Sequence, residues 1–106
     1  MYVVIFVTAS SKKEADGIAR ALLKKKLAAC VNITDTVKSL FWWQGKIDTA
    51  KELLLIIKSK RALLPQIIKL IKSKHGYDVP EIIVLPIIAG NSDYLRWIDD
   101  SVRKPH

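Results

Sequence analysis

The chain has 106 residues, half of them hydrophobic, with a formal charge of +8 and a single cysteine. That length makes one domain over residues 1–106, able to bury roughly 65% of the surface its unfolded form exposes without covalent staples. Cys30 alone excludes an internal disulfide framework, and the apolar run from Ile82 to Ile88 falls far short of the ~20 residues of a spanning helix, so a cytoplasmic protein with no membrane partner is expected.

Residues 2–8 are β-branched and aromatic and predict the first strand; the start is apolar but lacks a basic n-region and a small-residue cleavage site. Ser11-Lys12-Lys13-Glu14 matches a capping box, with the serine oxygen facing the N3 amide and Glu14 reaching back to the cap. A helix over about 12–26 follows, burying a stripe of Ala15, Ile18, Ala19, Leu22 and Leu23 while Lys12, Lys13, Lys24 and Lys25 lie off it. From Ala28 the period changes to two, which predicts a second strand running with interruptions to Trp43. Gln44-Gly45-Lys46 forms the turn, with Gly45 free to take a positive φ, and residues 47–58 return as the third strand of a long hairpin.

That hairpin carries the most informative cluster, Ser39-Leu40-Phe41-Trp42-Trp43. Neighbouring residues of a strand point to opposite faces, so Phe41 and Trp43 face one way and Trp42 the other, more than a small monomer can cover. Phe41, Trp42 and Trp43 are therefore assigned to a subunit interface.

Ser59 is the expected cap of a second helix reaching about Lys74, with Leu64, Ile67, Ile68 and Ile71 inward; Pro65 puts its regular start near Ala62 or kinks it. Gly76 is the expected C′ residue, with His75 in the last turn. Residues 81–88 predict the fourth strand. A final helix from about Ser92 buries Tyr94, Leu95, Ile98 and Val102 and frays at Lys104-Pro105-His106.

The order β-α-β-β-α-β plus a terminal helix is the ferredoxin-like α+β arrangement, an antiparallel sheet with helices on one face. Leu53-Leu54-Leu55-Ile56-Ile57 and Ile82-Ile83-Val84-Leu85 are apolar on both strand faces, and two helices cover only one. Either the extra helix crosses over or another copy buries the second face. A homo-oligomer is favoured, because a bare patch of that size exceeds what soluble monomers usually carry.

At this point the chain resembles the CutA divalent-cation tolerance family over nearly its whole length. The resemblance rests on Lys26-Leu27-Ala28-Ala29-Cys30-Val31-Asn32, Ser39 to Lys46, Glu52 with Lys58, His75-Gly76-Tyr77-Asp78-Val79-Pro80-Glu81-Ile82-Ile83 and Tyr94-Leu95-Arg96-Trp97-Ile98 in one order. It implies a compact homotrimer similar in plan to PII signalling proteins, and an association with copper or another divalent metal ion, none being required for the fold. The soft or borderline donors are Cys30, His75 and His106, of which Cys30 and His75 are the metal candidates. Relatives credited with a copper site carry a first-strand cysteine and a histidine pair before Pro-Tyr, positions that read Val7 and Lys74-His75-Gly76 here.

Each candidate also has a plainer role. A free cysteine on an apolar strand is ordinarily a small buried hydrophobe, and a histidine after a helix can close its end. No Ser/His/Asp spacing, Gly-rich phosphate loop or His-Glu-x-x-His motif is present, so no enzyme activity is expected. The basic charge and strand order suit an RNA-recognition motif, but residues 48–58 carry no stacking aromatic, which argues against a nucleic-acid partner. Two further readings remain: a PII-like regulator binding an anionic effector through Lys58, Lys60 and Arg61, and a trimeric scaffold with no ligand.

Overall fold

The computed structural model describes residues 1–104, so Pro105 and His106 lie outside it. β1 (Tyr2–Ala9) leads into α1 (Lys12–Lys24), followed by β2 (Cys30–Ile33), β3 (Val37–Trp43) and β4 (Lys46–Lys60). A 3-10 turn (Arg61–Leu63) precedes α2 (Leu64–Lys74), β5 (Ile82–Pro86) and α3 (Ser92–Ser101). The strands are ordered β2-β4-β1-β5, every pairing is antiparallel, and β3 pairs with the outer half of β4. This is the ferredoxin-like α+β arrangement expected from the strand order, with one strand split in two.

The split has a local cause. Ile33 pairs with Leu55 but Val37 pairs with Glu52, so three residues oppose two and the ladder carries a bulge. Thr34 bridges the gap: its N–H donates to the Leu54 carbonyl and its hydroxyl accepts the Leu54 N–H, both at 3.0 Å.

One face of the sheet is closed. Val3, Ile5 and Val7 of β1 and Leu53, Leu55 and Ile57 of β4 pack against Ala15, Ile18 and Leu22 of α1 and Ile67 and Ile71 of α2. Each large aliphatic side chain buried there contributes about 2 kcal/mol. Alternation sends Val4, Phe6, Leu54 and Ile56 to the opposite face, where they are only half-buried. The third helix does cross to that face: Asp99 pairs with Lys60 at 2.7 Å and accepts the Tyr2 hydroxyl. It covers one end and leaves Ile83 and Leu85 of β5 exposed.

Several local expectations are corrected. Ser59 caps no helix; it is buried in β4 and donates to the Leu27 carbonyl at 2.6 Å, while α2 starts at Leu64 with Pro65 in its first turn, where the missing N–H has no partner to lose. Gly76 is not left-handed, since Gly45 is the one positive-φ glycine among the described residues. Leu23 is exposed rather than part of the α1 stripe, and in α3 Ile98 and Val102 are buried but Tyr94 is exposed and Leu95 only half-buried. That follows from α3 resting on the sheet by a narrow line of contact.

Candidate functional site

The end of α2 meets the start of α1 through charged and polar groups. Ser11 Oγ accepts the Glu14 N–H at 3.1 Å, as the capping box requires, but the Glu14 carboxylate reaches past the cap. Its Oε1 accepts the Ser10 N–H at 3.0 Å and its Oε2 accepts the Gly76 N–H at 2.9 Å. A Cβ on Gly76 would lie 3.0 Å from that Oε2, a tight contact from which the carboxylate would have to shift. Burial pushes the Glu14 carboxyl up, but the Ser10 and Gly76 donors and nearby His75 outweigh it and hold it below its ordinary value.

His75 sits beside this carboxylate with its side chain fully buried, Nε2 lying 3.6 Å from Glu14 Oε1. Nε2 is 2.6 Å from the Thr8 carbonyl, and Nδ1 accepts the Tyr77 N–H at 3.1 Å. The Tyr77 donor needs a lone pair on Nδ1, so the proton is on Nε2 and both ring nitrogens are engaged.

Cys30 is elsewhere. It opens β2 opposite Lys58, itself opposite Val4, whereas His75 meets Thr8 at the other end of β1. Along the strands alone they are about 13 Å apart. Cys30 is half-exposed on the incompletely covered face, with Sγ 3.9 Å from Asn32 Oδ1. The Tyr94 hydroxyl is raised above its usual range, first by burial and then by Cys30 beside it. Among the described residues no three His, Cys, Asp or Glu side chains converge where a metal ion would sit. Within one chain the donors therefore do not fit a resident zinc ion, which needs three or four of them. His106 lies outside the described residues.

Tyr77 carries the network to a second place. Its hydroxyl donates to Glu52 Oε2 at 3.1 Å, in the wall of an open cleft of about 850 Å³ between the hairpin and the segment joining α2 to β5. Ser39, Leu40, Phe41 and Trp43 line the hairpin side and Trp42 does not. In the single chain Trp42 is 74% exposed and Trp43 57%. The basic groups proposed for an anionic effector lie away from this cleft, and Lys60 is taken by Asp99.

Residues 3–101 match the family model described as CutA1 divalent ion tolerance protein. The chain belongs to the CutA1 family. It is 44% identical over 102 residues to "Protein CutA 1, chloroplastic" of Oryza sativa, covering 96% of this chain but only 58% of that protein. The "Divalent-cation tolerance protein CutA" of Archaeoglobus fulgidus is likewise 44% identical over 102 residues, with 96% and 99% covered. The solved CutA1 of Thermus thermophilus superposes with a TM-score of 0.95 at 40% identity, over 97% of this chain and all of that one. Among the described residues no helix is long and apolar enough to cross a membrane. The rice relative is named as chloroplastic and the Archaeoglobus structure as periplasmic, so the family is not tied to one compartment.

In the sequence Glu14 stands in a capping box and His75 at a helix end, with no role marked for Tyr77 or Glu52; the fold makes the four one chain of contacts. The available signal was His75-Gly76-Tyr77 following the helix, a polar and glycine-containing stretch where an apolar cap would have sufficed.

Proposed function

We propose that this CutA1-family chain serves divalent-cation tolerance as a homotrimer, joined through the sheet face that its helices leave bare. The observation that carries the assembly is the apolar surface of Phe6, Leu54, Ile56, Ile83 and Leu85, continuous with an aromatic hairpin exposed on both sides. Family membership supports the link to divalent cations. The working compartment in this reading is the cytoplasm, and no catalytic step is assigned. Copper meets the protein as cargo through the Cys30 thiol, a soft donor half-exposed in the single chain, in a labile contact; His75, with both nitrogens engaged, serves the fold.

Sedimentation equilibrium gives the first test, with about 36 kDa expected, three times the 12.0 kDa chain. Cuprous-ion titration of the wild type, Cys30→Ala and His75→Ala gives the second. Cys30→Ala is expected to abolish binding while His75→Ala leaves the affinity within twofold. Equal affinity in all three would remove Cys30 from the reading, and a monomer mass would remove the trimer.

A further inference from the structure

The formal charge of +8 is unevenly placed. Residues 12–26 and 61–74, the two helices with their flanks, hold ten of the 18 Lys and Arg and two of the ten Asp and Glu, which leaves eight of each for the rest of the chain. The whole net charge therefore belongs to the layer of α1 and α2, and the remainder is neutral. Both acids of that layer are engaged: Glu14 accepts the Ser10 and Gly76 amides, and Asp16 pairs with Arg20 at 2.8 Å. The other nine cations are exposed, and none of them has a carboxylate partner among the described residues. A face of one sign raises the local concentration of anions.

The cations gather at the two ends of the layer. Lys13 and Lys74 line one open groove of about 410 Å³ between the start of α1 and the end of α2, together with Gly17 and Ser73. At the opposite end Ser59 holds the Leu27 carbonyl, so the chain passes Arg61 into α2 close to where α1 finishes at Lys24. Lys13 and Lys24 are about 16 Å apart along the α1 axis. A duplex presents a row of phosphates on either side of a major groove about 12 Å wide, a span that side chains at this separation bracket.

What the face lacks selects the partner. None of the chain's eight aromatic residues lies in these two segments, and Leu23 is the one exposed Leu or Ile there. The bases of a single strand want aromatic platforms, a bilayer surface wants apolar side chains to insert, and a protein partner wants an aromatic or apolar anchor. Duplex phosphates want only cations, whose approach releases the condensed counter-ions. The absence of a stacking aromatic from residues 48–58 tells against a single strand, but a duplex keeps its bases stacked inside and its phosphates outside.

We propose that the outer face of α1 and α2 docks on the phosphate backbone of duplex DNA without reading its sequence. Lys12, Lys13 and Lys74 meet one side of the groove and Lys24, Lys25 and Arg61 the other. This face lies across the sheet from the bare apolar patch and Cys30, so it rests on neither the trimer nor the copper reading.

The test is fluorescence anisotropy of a labelled mixed-sequence DNA duplex with the assembled protein, from about 50 to 200 mM NaCl. Saturation at low micromolar protein is expected at the lowest salt, with log Kd rising by about 4–5 per unit of log salt. Lys13→Gln with Lys74→Gln, and separately Lys24→Gln with Lys25→Gln, are each expected to weaken binding at least tenfold and to lower that slope by about 2. Lys38→Gln with Lys51→Gln removes the same charge from the exposed hairpin, where the two are paired in register, and is expected to stay within twofold of the wild type. All three variants alter exposed side chains, and circular dichroism and sedimentation verify that fold and mass are kept.

A hairpin pair that costs as much as either helix pair would leave net charge without a docking face and overturn the proposal. So would a salt slope below about 2, or no saturation by about 100 μM protein at the lowest salt. Single-stranded DNA of the same length is expected to bind at least fivefold more weakly; equal affinity would refute the bracketed groove. Vesicles of phosphatidylcholine with one third phosphatidylglycerol are expected to stay unbound. Binding to them with none to the duplex would make the face a membrane contact and the proposal wrong.

Discussion

At His75 the fully buried imidazole ties the end of α2 to the Thr8 carbonyl of β1 from one side and to the Tyr77 amide from the other. Replacing it with alanine removes both hydrogen bonds and leaves the Thr8 carbonyl facing a void. A cost of about 2–4 kcal/mol is expected, visible as a lower urea midpoint at fixed protein concentration. The neighbouring Glu14 adds a pH dependence. Its carboxyl holds a proton more weakly in the folded chain than in the unfolded one, whose ordinary value is 4.5. Its contribution is therefore complete above about pH 4.5 and is lost as the pH falls through the lower folded value. Glu14→Gln should cost about 1–2 kcal/mol at pH 7 and flatten the fall in stability between pH 5 and 3, measured by urea unfolding. An unchanged acid limb would assign that fall to other carboxylates.

The hairpin shows how a two-residue turn sets an element. Gln44 and Gly45 have φ of 50° and 77°, both left-handed, as in a type I′ turn whose twist matches the flanking strands. Gly45 suits the second position; Gln44 is an uncommon choice for the first. Gln44→Asn should stabilise the tip by about 0.5 kcal/mol, and Gly45→Ala should cost about 1 kcal/mol. Hydrogen exchange at the Trp43 and Lys46 amides measures both, and slower exchange in Gly45→Ala would refute the turn geometry. The turn was legible in Gln44-Gly45-Lys46, and so was the order of elements, because Ile18 and Leu22 keep a helical period while Leu53, Leu55 and Ile57 keep a period of two. Boundaries set by distant partners were not. Ser59 reads as a cap until Leu27 arrives to take its hydroxyl, and Gly76 reads as a helix stop until Glu14 comes within 3.0 Å of where a Cβ would be. The bulge at residues 34–36 was only an interruption in the pattern, because an extra residue shows in register and not in composition.

At the scale of the molecule, the chain measures 44 × 26 × 23 Å, long because β4 carries the hairpin beyond the two helices. One sheet face is sealed by α1 and α2; the other has α3 at one end and apolar side chains over the rest. Phe6 pairs with Ile83 and Ile56, and Val4 with Leu85 and Lys58, so the bare patch runs across three adjacent strands. Apolar patches of this kind favour association, and in the proposed trimer the exposed hairpin would give a second copy a further contact. Ile83 is 51% exposed in the single chain and lies outside the sealed core, so Ile83→Lys changes the patch with little effect on the packing under α1 and α2. In the proposed trimer it would bury three unpaired ammonium groups near one axis. Ile83→Lys is therefore expected to sediment as a monomer that keeps its circular dichroism spectrum. Trp42→Ala with Trp43→Ala should lower the association constant at least tenfold, since in the proposed trimer the exposed hairpin adds to the contact made by the sheet face. If Ile83→Lys keeps the wild-type mass while the double tryptophan variant falls apart, the hairpins alone join the subunits and the sheet face is covered by something other than another copy of the chain.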